Sequence, residues 1–71
     1  MNLNLINVGQ DYTIKSVNTH DAELNSFLFS LGCYSGEPIT LIKRSRSGCI
    51  IAIKDGRYSI DSQLANVIEV E

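Results

Sequence analysis

The chain has few of the residues from which most metal and redox sites are built. Its 71 residues include one histidine, two cysteines, one proline and no tryptophan. The two cysteines, Cys33 and Cys49, do not form a CxxC pair, and in a cytoplasmic protein this favours two reduced, partly buried thiols over a disulfide. A zinc-type site needs three or four ligands at defined spacing, and the sequence contains no such set.

Long apolar runs and a strong net charge are also missing. No stretch approaches the roughly 20 apolar residues that a membrane-spanning helix needs. The segment Met1–Asn7 lacks both the basic and the apolar part of a signal peptide. A formal net charge of −2 gives no reason to expect nucleic acid or an anionic membrane as a partner. We therefore expect a cytoplasmic chain without direct membrane insertion.

The short motifs of catalysis are absent as well. The serines lie in no nucleophile-elbow context, and Gly32-x-x-x-Gly36 lacks the Lys-Ser/Thr that completes a phosphate-binding loop. Pairing His20 with Cys33 or Cys49 would leave the base without a third orienting group. The sequence predicts a protein that is not an enzyme, has no resident cofactor and acts by binding.

One segment has the period of a helix. Asp21 or Thr19 can cap its start, the acidic first turn suits the helix dipole, and Gly32 suits a left-handed end. The sequence predicts an α-helix over about residues 21–31. Four apolar residues lie on one face of it and are expected to pack on the core: Leu24, Phe27, Leu28 and Leu31.

The rest of the chain alternates as short strands. We predict them at Tyr12–Val17, Glu37–Lys43, Cys49–Lys54, Arg57–Ile60 and Asn66–Val70. Asp55-Gly56 indicates a tight hairpin turn, and residues 61–65 indicate a single 3₁₀ turn. In a regular strand Ile14 and Val17 would lie on opposite faces, so the pattern does not show which face of the first strand is buried. Closing five short strands into a barrel removes exposed edges. The fold class is therefore mostly β: a single domain, residues 1–71, with the helix between the first and second strands.

The landmarks of this pattern resemble a known family. They are Leu28-x-x-Leu31-Gly32-Cys33-x-x-Gly36, Ile39-x-Leu41, Gly48-x-Ile50, and then Gly56, Ile60, Ala65, Ile68 and Val70. This pattern is similar to FeoA, the small ferrous iron transport protein A, whose domain is an SH3-like barrel. The chain departs from the family in four places: Cys33 replaces a leucine, Ser35 replaces a proline, Ser47-Gly48-Cys49-Ile50 replaces a frequent Gly-Asp-Pro-Ile, and Asp61 replaces a common arginine.

The resemblance implies a function in iron uptake. Proteins of this family act with FeoB, a large membrane ferrous iron transporter with a cytoplasmic GTPase domain. We expect an accessory or regulatory protein that binds the transporter. The alternative is a transition-metal-responsive domain, related to the C-terminal SH3-like domain of metal-dependent repressors. Neither interpretation specifies an oligomeric state.

Two sets of residues are candidates for these functions. Weak candidates for ligating Fe²⁺ or Zn²⁺ are His20, Cys33 and Cys49. His20 precedes the helix and Cys33 follows it, so these two residues lie on the order of 15–20 Å apart. We therefore predict no specific metal site. Candidates for partner binding are Tyr34, Lys43, Arg44, Arg46 and Tyr58. The alternatives are that Tyr34 caps the barrel and that the basic residues form a solvated loop.

Overall fold

A five-stranded antiparallel sheet forms most of the molecule. The computed structural model describes residues 1–71, and the sheet order is β4-β3-β2-β1-β5. The strands are β1 (Asp11–Val17), β2 (Pro38–Arg44), β3 (Gly48–Ile53), β4 (Gly56–Asp61) and β5 (Ile68–Val70). The helices are α1 (Ala22–Leu31) and α2 (Ser62–Val67), preceded by a 3₁₀ turn over Leu3–Leu5. The predicted mostly β fold, with a helix between the first two strands, is confirmed.

The strands and the N-terminal turn surround one apolar core. Fourteen buried residues form a single cluster, to which every strand contributes. The hydrogen-bonded ladder stays open between the end strands β4 and β5. Helix α2 connects these strands and buries Ala65, while Asn2 forms a bridge to Glu69 on β5. Because these segments cover the gap, the fold needs no direct pairing of β4 with β5.

A register shift in β1 resolves the inconsistency between Ile14 and Val17. Ile14 pairs with Val70 and Ser16 pairs with Glu69, so one extra residue lies between these two pairs on β1. Such a bulge changes which face the following residues occupy. Ile14 is therefore buried, and Val17 also packs against the core.

Helix α1 begins and ends where the sequence predicts, but its buried face is narrower. The Asp21 side chain accepts hydrogen bonds from the main-chain N–H groups of Glu23 and Leu24. Gly32 ends the helix at φ 99°, in the left-handed region that glycine occupies at least cost. Leu28 is fully buried, whereas Phe27 is 49% exposed. The prediction that Phe27 packs on the core is wrong. Consecutive residues of a helix are rotated by about 100° about its axis, so the Phe27 side chain points away from the side that buries Leu28.

Two connections differ from their predicted form. The β3–β4 turn is centred on Lys54 and Asp55, since Ile53 pairs with Gly56, and Lys54 rather than Gly56 has a positive φ. The segment after β4 is a six-residue α-helix, α2, and not a 3₁₀ turn. The Asp61 side chain caps α2 by accepting a hydrogen bond from the N–H of Leu64 at 2.8 Å, and this cap favours the α-helix. No helix in the chain is long and apolar enough to cross a membrane.

Candidate functional site

Two aromatic rings meet at the C-terminal end of α1. Gly32 turns the chain sharply after the helix, and this turn brings Tyr34 back beside Phe29. The ring centroids are 4.9 Å apart and the planes are tilted by 35°, within the range of favourable aromatic pairs. Phe29 is 65% exposed. The pair therefore forms an apolar ridge on the surface and not part of the core.

Lys54 contacts the Tyr34 ring as well. Its Nζ lies 5.1 Å from the centroid of the Tyr34 ring and 3.3 Å from a carboxylate oxygen of Glu37. The polar contact with Tyr34, followed by the ion pair with Glu37, raises the pKa of Lys54. The lysine is therefore cationic at neutral pH, as a cation–π contact requires. It connects the β3–β4 turn to the segment that follows α1.

Open grooves lie on both sides of the Phe29–Tyr34 ridge. The first, of about 620 Å³, separates α1 from the second half of β1. The second, of about 570 Å³, separates the end of α1 from the β3–β4 turn. Both volumes fall in the range of roughly 300–1,000 Å³ that is usual for binding clefts. We call the surface formed by Phe29, Tyr34, Lys54 and Tyr58, with its two grooves, the helix-end surface.

Tyr58 enters this surface because Gly56 makes room for it. Both residues are on β4, two positions apart, and the Tyr58 side chain lies directly against Gly56. A Cβ at position 56 would overlap the phenol ring. Tyr34 and Tyr58, two of the predicted partner-binding residues, thus line the same groove. Sequence reasoning missed Phe29, although its position off the leucine stripe of α1 was a usable signal.

The other partner-binding candidates lie elsewhere. Lys43, Arg44 and Arg46 belong to the end of β2 and the β2–β3 loop, at the opposite end of β3 from Lys54. The six residues of β3 make this separation about 20 Å. Arg44 is occupied within the fold, because its guanidinium donates to the carbonyl oxygens of Leu3 and Ile6. The structure therefore does not bring the predicted aromatic and basic residues together.

The candidate metal ligands are not clustered. His20 is exposed, whereas Cys33 and Cys49 are buried free thiols. No group of three His, Cys, Asp or Glu side chains in the chain is arranged to hold a metal ion. Burial raises the pKa of Cys33 to about 11; it also raises the pKa of Cys49, against the opposing charge of Arg44. Both thiols are therefore protonated at neutral pH, and a protonated thiol is a poor ligand and nucleophile.

Comparison with family models identifies the domain of this chain. The family model of the FeoA domain matches residues 1–71. No curated protein matches the chain.

Solved structures share the fold. Iron(II) transport protein A from Clostridium thermocellum is 25% identical with a TM-score of 0.90, over 100% of this chain and 44% of that one. FeoA of Stenotrophomonas maltophilia in complex with zinc, described as a prokaryotic SH3 domain protein, is 17% identical with a TM-score of 0.87, over 100% and 89% of the two chains. A manganese-dependent transcriptional repressor is also 17% identical with a TM-score of 0.87, over 96% of this chain and 39% of the repressor.

Proposed function

The chain belongs to the FeoA family, and from that premise we propose that it is an accessory protein of ferrous iron uptake that docks on the FeoB-type transporter. The transporter's GTPase domain faces the cytoplasm, so the proposal also gives this chain a cytoplasmic location. The chain acts there by binding, without a catalytic step or a resident cofactor.

The observation that carries this proposal is the exposure of the Phe29–Tyr34 ridge. Contiguous apolar patches on a protein surface often mark interaction sites, and the stacked rings of Phe29 and Tyr34 form such a patch between two grooves. Aromatic residues, phenylalanine included, are enriched in protein interfaces. Phe29 is 65% exposed and lines both grooves, so one partner residue inserted on either side would bury its ring.

The ridge is also held in place before binding. The Phe29–Tyr34 stack, the Lys54–Tyr34 contact and the Lys54–Glu37 ion pair restrain the same side chains. A preorganised surface loses less conformational entropy on association than a mobile one. Docking at this surface then needs little rearrangement of the chain.

The second function, a transition-metal-responsive domain, has weaker support. It is favoured by the fold shared with the manganese-dependent repressor and by the zinc bound to the Stenotrophomonas protein. Against it, the chain has no group of three candidate ligands. Calorimetric titration of the fully reduced protein with Fe²⁺ or Zn²⁺ separates the two. We expect no binding tighter than micromolar.

The docking proposal is tested by pull-down of the transporter's cytoplasmic domain, with and without a metal chelator. We expect binding in both conditions. Binding that disappears on chelation favours the metal-responsive alternative. Absence of binding in both conditions, with folded protein verified by circular dichroism, overturns the docking proposal.

A further inference from the structure

The two halves of β1 have different neighbours on the side that faces β2. Asp11–Thr13 pairs with β2, and Ile14 makes the last main-chain hydrogen bonds on that side, with Gly36 and Glu37. Beyond Ile14, no main-chain hydrogen bond connects β1 with the segment between α1 and β2. The edge of residues 15–17 that faces away from β5 is therefore unpaired.

This free edge exists because α1 is inserted between β1 and β2. The chain leaves β1 at Val17, runs through the helix and returns to the sheet only at Pro38. An open groove, with α1 on its far side, therefore lies where a longer β2 would have paired with the second half of β1. An unpaired strand edge is a template for another strand.

The groove of about 620 Å³ lies along this edge. Lys15, Ser16 and Val17 form one wall and α1 contributes Asn25, Ser26 and Phe29 to the other. Lys15 is the only charged residue in the lining, and it takes part in neither of the chain's two salt bridges. The groove therefore offers a strand edge, an aromatic wall and one unpaired positive charge.

We propose that this groove binds an extended peptide segment of the docking partner, which adds a short strand to β1 along residues 15–17. In this mode, main-chain hydrogen bonds supply affinity and alternate side chains select the sequence. An apolar side chain packs against Phe29 and Val17, and an acidic side chain pairs with Lys15. The inference rests on the proposed function only in assigning the peptide to the same partner.

An extended segment fits this groove better than a helix does. A helix satisfies its own main-chain groups and would leave the edge of β1 unpaired. A strand pairs with that edge and still presents every second side chain to α1. The groove lies between a strand and a helix, so a bound strand contacts both walls at once.

The test uses the full chain and the intact cytoplasmic domain of the transporter, with two tryptophan variants. Ser26→Trp places a bulky ring in the groove from an exposed helix position. Gln63→Trp is the matched control, on the exposed face of α2 and outside both grooves of the helix-end surface. Affinities are measured by calorimetry, and amide hydrogen exchange of residues 15–17 is measured by NMR with and without the partner.

We expect Ser26→Trp to weaken binding at least tenfold and Gln63→Trp to leave it unchanged. At least one amide among residues 15–17 should exchange at least tenfold more slowly in the complex. Equal affinity of both variants, or unchanged exchange while the partner is bound, overturns strand addition and leaves the docking function standing. Failure of the unmodified chain to bind the domain overturns the docking function itself.

Discussion

The guanidinium group of Arg44 donates a 2.7 Å hydrogen bond to the main-chain carbonyl of Ile6. The same nitrogen lies 2.9 Å from the carbonyl oxygen of Leu3. Leu3 and Ile6 are both buried in the core. One side chain at the end of β2 thus fixes the N-terminal turn against the sheet, and this explains why Arg44, a predicted partner-binding residue, is not free for a partner.

Arg44→Met should destabilise the fold by about 1–2 kcal/mol. The substitution removes a charged donor from two partly buried carbonyl groups, and such hydrogen bonds are worth roughly 1.5–3 kcal/mol when well shielded. Arg46→Met is the control, because Arg46 is exposed and makes no hydrogen bond. Urea denaturation measures both. Equal unfolding free energies for the two variants would show that the Arg44 bonds contribute nothing to stability.

Gly32→Ala and Gly36→Ala should cost similar stability but differ in binding. Both glycines have a positive φ, of 99° and 92°, where an alanine costs about 1–2 kcal/mol. A Cβ at Gly36 meets nothing within 4 Å, whereas one at Gly32 lies 3.0 Å from Cδ and Cε of Lys54. The flexible lysine moves, so only Gly32→Ala disturbs the Lys54–Tyr34 contact.

We therefore expect Gly32→Ala to weaken partner binding severalfold and Gly36→Ala to leave it close to that of the unmodified chain. Urea denaturation and calorimetric titration of the partner domain on the same samples check both statements. The expectation fails if the two variants bind alike.

The Cys33 thiol should make stability fall at alkaline pH. Its pKa is raised from 9.0 to about 11 in the folded chain, so above about pH 8 the unfolded chain releases this proton first. Rising pH then favours unfolding, while below about pH 8 the thiol is protonated in both states and contributes no pH dependence. As the pH rises from 9.0 to about 11, the free energy of unfolding falls by an amount on the order of 2 kcal/mol.

The measurement for this thiol is a series of urea denaturations between pH 7 and 11 in reducing buffer. Cys33→Ala should lose this part of the pH dependence, whatever its effect at neutral pH. Cys49→Ala should lose less of it, because Arg44 partly offsets the rise in the pKa of Cys49. Parallel pH profiles of Cys33→Ala and the unmodified chain would contradict the argument.

Phe29→Ala should reduce affinity for the transporter's cytoplasmic domain at least tenfold. Truncating a hot-spot residue of an interface costs about 2 kcal/mol or more, and Phe29 is the residue that we expect to be such a hot spot. Phe27→Ala is a matched control on the same helix, since Phe27 is also exposed but lines neither groove of the helix-end surface. It should change affinity less than twofold. Calorimetry measures both, and a larger loss for Phe27→Ala would move the docking surface to the other side of α1.

Much of the architecture could be predicted from local patterns. The cap at Asp21, the glycine at the end of α1 and the alternating strands depend on residues close in sequence. The bulge in β1 could not be predicted, because it depends on pairing with β5 at the far end of the chain. Helical period identified the leucine stripe, but it could not show that the sheet covers Leu28 and leaves Phe27 exposed.

The candidate site was predictable only in part, for the same reason. Tyr34 and Tyr58 are brought together by the turn after α1 and by the space over Gly56. Whether Arg44 is available depends on a contact with residues about forty positions earlier in the chain. Long-range contacts of this kind decide which surface residues are free, and no short motif encodes them.

The pairing of the two chain ends has a consequence for the order of folding. Val70 and Met1 exchange main-chain contacts, and Thr13 exchanges hydrogen bonds with Glu71. Until β5 is in place, β1 lacks its partner on that side, although β2, β3 and β4 can already form their meander. Folds rich in such distant pairs reach the native state slowly, in milliseconds to seconds. We expect the pairing of β5 with β1 to be a late step of folding, with part of the core accessible to chaperones until that strand is in place.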